Sequence, residues 1–199
     1  MTELKTHWTE IHENKDKDVS WWQENLWLDF LKFAQPDGAA IDVGAGQSPI
    51  GIALAKAGYK PVFINDLAVN ALEKSVAAAK EENTELVALP GDVLDLKLPK
   101  KVNLWHDRAV FHFLTSESDI AQYRKNVVEN TDANALLVMA TFSEAGPDQC
   151  SGLNVKKYSP SDLSAFFEPE FKVLHSEKRI HKTPWDSEQE FSIAVMQKI

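Results

Sequence analysis

The chain has a single cysteine, Cys150, in 199 residues. An internal disulfide is therefore excluded, and with no C-x-x-C or H-E-x-x-H spacing the sequence suggests no metal centre. His7 and His12 stand five apart in a polar leader, which is poor support for a zinc site. Basic residues are also few, 21 Lys and Arg against 30 Asp and Glu, for a formal charge of -9. Nonspecific nucleic-acid binding needs basic surface to displace counterions, so no nucleic-acid partner is expected. The cluster Lys97, Lys100, Lys101 is too small to reverse that balance and reads as a solvated loop. No stretch approaches the ~20 apolar residues that cross a bilayer, and the first residues lack the apolar core of a signal peptide. No membrane partner and a cytoplasmic location are the expectation. Repeats and low-complexity tracts are absent, and the length fits one domain.

Glycine is scarce as well, eight in all, so its placement carries information. Residues 39–58 read AAIDVGAGQSPIGIALAKAG. Ala39 to Val43 is a short apolar run of the kind a parallel strand buried on both faces shows. Gly44, Ala45 and Gly46 come next, and then Ile50, Leu54 and Ala57 line one side of a helix that Gly58 closes. Glycines suit such a turn because the chain reverses tightly and because a side chain would hold a ligand away from the backbone amides. A dinucleotide-binding turn reads G-x-G-x-x-G, but here the third glycine, Gly51, comes two positions too late. An acid, Asp42, stands two before the first glycine.

At these residues the sequence resembles the class I S-adenosylmethionine-dependent methyltransferases, whose first motif is an acid, one residue, then G-x-G. The order of the motifs beyond Gly58 strengthens the resemblance. Pro61 to Asn65 is a second short strand ending at Asp66, where a carboxylate can accept from both ribose hydroxyls. Capping the next helix, residues 68–82, is the alternative role for Asp66. Glu85 to Pro90 is a third strand, succeeded by Asp92 and Val93, which in this family meet the adenine. A fourth strand, Val102 to Trp105, runs into His106, Asp107, Arg108 and then His112. Adjacent His, Asp and Arg at a buried strand end are costly unless they pair with each other or face a cavity.

The resemblance covers residues 20–199 and implies a single Rossmann-like α/β three-layer sandwich. Its seven-stranded sheet would be mostly parallel with an antiparallel C-terminal strand. The tail fits this, with strands at 171–180 and 189–197 and the loop HKTPWDSE between them. Thr115 to Glu117 should start a helix, residues 134–142 a fifth and central strand, and Ser159 to Phe167 a short helix with serine as cap and proline at its first position. A loop is expected at 143–154. A helix at 20–34 is expected from an S-x-x-Q capping box at Ser20 and the periodic Trp22, Leu26, Phe30 and Phe33. Its tryptophans Trp21, Trp22 and Trp27 exceed one buried face. Together with Trp8 they suggest a lid over residues 1–19 ahead of the domain proper.

The cofactor implied is S-adenosylmethionine, with S-adenosylhomocysteine as product. Gly44, Ala45, Gly46 and Gln47 would cradle its methionine part, with Asp42 orienting the loop or the cofactor's amino group. Asp66 and Leu67 would meet the ribose, Asp92 and Val93 the adenine, and Trp21 and His106 would complete the cofactor set. His106, Asp107, Arg108 and His112 are the candidate catalytic residues. The motifs WHDRAVFHFLT and GPDQCSGL resemble a group of small bacterial methyltransferases with looser similarity to the thiopurine and tellurite enzymes. Ser48 stands where many relatives carry a third glycine, which weakens any finer assignment. A monomer acting on a small-molecule acceptor is expected. A protein lysine methyltransferase and a noncatalytic binding module remain open. Cys150 reads as a small buried residue rather than a catalytic thiol.

Overall fold

The computed structural model describes residues 3–13, 28–183 and 186–199. It divides into two compact units, Met1–Lys97 and Leu98–Ile199. In the first, helix α1 (Glu3–Glu13) precedes a 3-10 turn at Asp29–Phe33. Strand β1 (Ala40–Val43), helix α2 (Ile50–Ala57), strand β2 (Val62–Asp66), helix α3 (Val69–Glu81) and strand β3 (Val87–Pro90) then alternate. The strands lie in the order β3-β2-β1, all parallel, with Ile41 level with Phe63 and Ile64 level with Ala88. β1 is buried throughout, which is why its run is apolar apart from Asp42 and shows no alternation. Gly58 ends α2 in the left-handed region, at φ +113°, as the sequence predicts.

The second unit contains β4 (Val102–Arg108), α4 (Glu117–Asn130), β5 (Thr131–Phe142), the short pair β6 (Gln149–Cys150) and β7 (Leu153–Asn154), α5 (Pro160–Phe167), β8 (Phe171–Lys182) and β9 (Glu188–Lys198). Its order is β4-β5-β9-β8; β4 and β5 are parallel, and β9 runs antiparallel to both neighbours. The last strand is thus inserted between β5 and β8. Seven strands in two units, parallel apart from the C-terminal one and flanked by helices, make up the α/β class expected from the sequence.

Several boundaries differ from the sequence reading. The helix expected at 20–34 lies mostly outside the described residues, and its described end is only the 3-10 turn. The expected loop at 143–154 contains the β6-β7 hairpin. The polar leader is helical: Leu4, Trp8 and Ile11 share one face of α1 at i, i+4, i+7, a periodicity hidden among its charged and histidine neighbours. The cap expected at Ser159 is present, where Ser159 and Asp162 form a reciprocal box on α5, and at the start of α4 Ser116 accepts from the Asp119 amide.

Candidate functional site

In the first unit the site is built on the turn between β1 and α2. Gly44 and Gly46 both have positive φ, +59° and +50°, which an L side chain adopts only with strain. The turn is held from three directions. The Ala45 amide donates to the Asn65 carbonyl at 2.9 Å, the Gly46 amide donates to Asp66 Oδ2 at 2.8 Å, and Ser75 Oγ donates to the Gly46 carbonyl at 2.8 Å. Ser48, in place of a third glycine, accepts from the Ile50 amide at 3.2 Å and so secures the start of α2. Gly51 takes up the packing role that a third glycine has. A Cβ there would lie 2.9 Å from Ile64 Cγ2, so only glycine brings α2 this close to β2.

Asp66 ties the start of the α3 segment to the glycine turn. Oδ1 accepts from the Ala68 amide ahead of α3 at 2.8 Å, and Oδ2 accepts from Gly46. Burial raises its pKa, against the lowering by the Ala68 amide, His12 and the Gly46 amide. A carboxylate has about four lone-pair sites, so two amides leave acceptor capacity for hydroxyls. Asp42, in β1 ahead of the turn, is buried at 2 % exposure. Asp92 caps the 3-10 turn Val93–Asp95 by accepting from the Leu94 amide at 2.9 Å, while Val93 is buried and Leu67 half-buried. Gln47 reaches His12 of α1, with Nε2 and Nδ1 3.4 Å apart. Trp21 lies outside the described residues.

Sequence reasoning passes over three residues of this site. Asn65 donates to the carbonyls of Leu89 and Gly91 at 2.8 and 3.0 Å, joining the carboxyl ends of β2 and β3. Its signal is an amide inside an otherwise apolar strand. Ser75, the one buried polar residue of α3, anchors the turn. His12, in the polar leader, carries no signal that would tie it to a glycine turn more than thirty residues away.

In the second unit β4 extends three residues further than predicted. His106, Asp107 and Arg108 belong to the strand, level with Val138, Met139 and Ala140 of β5, and all three are buried. Alternation puts His106 and Arg108 on one face and Asp107 on the other. The sequence reading has the three either pairing or facing a cavity; Asp107 is enclosed by its own turn, with an attractive charge interaction from His106. Its carboxylate accepts from the Val110 and Phe111 amides and from the Tyr123 hydroxyl, which also accepts from Trp105 Nε1 at 3.1 Å. With zero exposure, Asp107 is a clamp on the turn after β4 rather than a group open to an acceptor. Burial pushes its pKa up to about 6, although the Tyr123 hydroxyl and the two amides pull the other way.

His112 is fully buried between Phe113 and Phe142, with ring centroids at 4.5 and 4.8 Å. Its Nδ1 accepts from the Phe142 amide at 3.4 Å, which leaves the proton on Nε2, an atom with no hydrogen-bond partner among the described residues. Desolvation lowers its pKa to about 3, so the ring is neutral. Cys150 sits half-buried in β6 with its thiol raised to about 11 by burial, the opposite of an activated thiolate.

Solved structures share this architecture. The chain superposes on a protein from a structure of the conversion of a disulfide bond into a thioacetal group during echinomycin biosynthesis, with TM-score 0.78, 14% identity, and coverage of 98% of this chain and 92% of that one. The fold is that of the class I methyltransferases. TehB from Haemophilus influenzae gives 0.74 at 16% identity, covering 92% of this chain and 65% of that one. The Burkholderia thailandensis 1,6-didemethyltoxoflavin-N1-methyltransferase, solved with 1,6-didemethyltoxoflavin and S-adenosylhomocysteine bound, gives 0.75 at 13% identity, covering 98% and 87%. No protein-family model matches the chain, and no curated protein matches it. Gly46 lies in the turn after β1, Asp66 ends β2, and Asp92 follows β3.

Proposed function

We propose that this protein transfers a methyl group from S-adenosylmethionine to a small-molecule acceptor and releases S-adenosylhomocysteine. The observation that carries the reading is the glycine turn after β1, tied through the Gly46 amide to Asp66 at the end of β2. That pair offers a nucleoside a close backbone approach beside a carboxylate with spare lone pairs.

When bound, S-adenosylmethionine would supply an electrophilic methyl group on a sulfonium for in-line transfer to the acceptor. The protein's share is to hold, align and exclude water. Gly44, Ala45, Gly46 and Gln47 hold the methionine part, Asp66 with Leu67 the ribose, and Asp92 with Val93 the adenine. Asp42 acts ahead of the turn as its support. His106 and Arg108 are the acceptor-side groups: an amine or hydroxyl acceptor needs a base, which His106 supplies, and a thiol does not. Asp107 and His112 act indirectly, by fixing the chain between β4 and α4. A cytoplasmic monomer without nucleic-acid partners fits the acidic balance of the chain.

Calorimetry against S-adenosylmethionine, S-adenosylhomocysteine and NAD tests the reading. Micromolar binding of the first two and none of NAD is expected; NAD binding without a response to adenosylhomocysteine would overturn it.

A further inference from the structure

Helix α1 is docked on the glycine turn. Asn70 Nδ2 donates to the Thr9 carbonyl at 3.3 Å, Lys74 Nζ donates to the His12 carbonyl at 3.1 Å, and Gln47 meets His12 Nδ1 at 3.4 Å. Two of these anchors come from α3 and one from the turn itself, so the imidazole is held by its backbone and by one ring nitrogen. Its other edge lies over Gly46. A Cβ added to Gly46 would meet His12 Cε1 at 3.0 Å and Nε2 at 3.3 Å, with Asp66 Oδ2 at 3.9 Å from the same point.

Gly46 is therefore glycine partly because a histidine of another helix seats on it, in addition to its positive φ. Nε2 also stands on the side of Asp66, so an anionic acceptor and an imidazole nitrogen flank one spot on the turn. An acid beside an imidazole is a recognition pair for vicinal hydroxyls, one group accepting while the other donates or accepts according to its tautomer.

We propose that His12 is a cofactor-binding residue, supplied by α1 and contacting the ribose hydroxyls of the cofactor opposite Asp66. The assignment deepens the methyltransferase reading and rests on it. It makes the leader helix a wall of the site, with Gln47 orienting the imidazole as a backbone carbonyl orients many functional histidines.

Calorimetry with S-adenosylhomocysteine and with its 2′,3′-dideoxy analogue, on wild type, His12→Ala and His12→Gln, tests this. His12→Ala should weaken adenosylhomocysteine binding by about tenfold, the order expected for losing a hydrogen bond to a polar ligand, and His12→Gln by about threefold or less. Against the dideoxy analogue, His12→Ala should bind like wild type, because the partner hydroxyls are gone. A His12→Ala protein that binds adenosylhomocysteine as well as wild type, or better, overturns the assignment and makes the imidazole a plug in an empty cradle. Equal losses for both ligands overturn it too, in favour of a purely structural role. If wild type itself binds no adenosylhomocysteine, the cofactor reading fails and this contact with it.

Discussion

Single side chains in this protein are chosen for what they accept. Asp66 accepts two backbone amides and, in the proposed complex, ribose hydroxyls. Asp66→Ala should weaken cofactor binding by ~1.5 to 3 kcal/mol, the range for hydrogen bonds to a charged group. Because the Gly46 and Ala68 amides lose their partner as well, some stability should be lost with it. Unchanged affinity in protein that melts earlier would reduce Asp66 to a cap. Two buried groups near β5 titrate in opposite senses. His112 has its pKa lowered from 6.5 to about 3 by burial, so the unfolded chain takes up a proton that the native state refuses, and stability falls with acidity across that window. Asp107 has its pKa raised from 3.8 to about 6 by burial, so the native state holds the extra proton between those values and stability falls as pH rises through them. Over the shared range the two nearly cancel. Replacing His112 by Asn, whose amide oxygen can still accept from Phe142, should expose the difference: relative to the variant, wild type should lose ~1.4 kcal/mol per pH unit below its ordinary histidine pKa. A pH-independent difference in urea melts would show that His112 is not held neutral.

Among the elements, α1 and α2 show how packing gives meaning to a residue. Gly51 is a helix-weakening residue in a short helix, yet a methyl there would press on Ile64 at 2.9 Å and on Leu86 at 3.3 Å. Gly51→Ala should therefore destabilise by ~1 to 3 kcal/mol despite its better helix propensity, as chemical denaturation would measure. A gain in stability would mean that α2 can withdraw from β2 without cost. α1 contains no fully buried residue, so little of the core's stability comes from it. Deleting residues 3–13 should accordingly lower the melting temperature slightly and methyl transfer severely, if the helix works as a wall and lid to the site. Comparable losses in both would make α1 part of the fold rather than of the function.

For the whole molecule the open matter is the acceptor. Under the proposed function the acidic charge of the chain fits a small acceptor in an enclosed site, where exclusion of water strengthens electrostatics. Panels of thiols, amines and carboxylates, assayed for adenosylhomocysteine release, should yield a turned-over compound. A lysate labelled with tritiated cofactor should show no discrete protein band. One labelled band and no small-molecule turnover would favour the protein methyltransferase instead.

The strand-turn-helix order was legible in the amino acids because buried parallel strands need unbroken apolar runs and tight turns need glycine. Local rules of the same kind revealed the cap at Ser159 and the helix end at Gly58. The acids Asp66 and Asp92 were found by their order after successive strands, a one-dimensional property. What the tertiary structure decided concerns partners distant in sequence. The sequence left open how Asp107 is accommodated, which Tyr123 and the Phe111 amide decide by enclosing it, and His112, a candidate catalytic residue, is packed between two phenylalanines. His12 looked like part of a loose leader until α1 was seen docked on α3 with the imidazole on Gly46. A residue type records which interactions it can make, whereas burial and the approach of a second element determine which of them it does make.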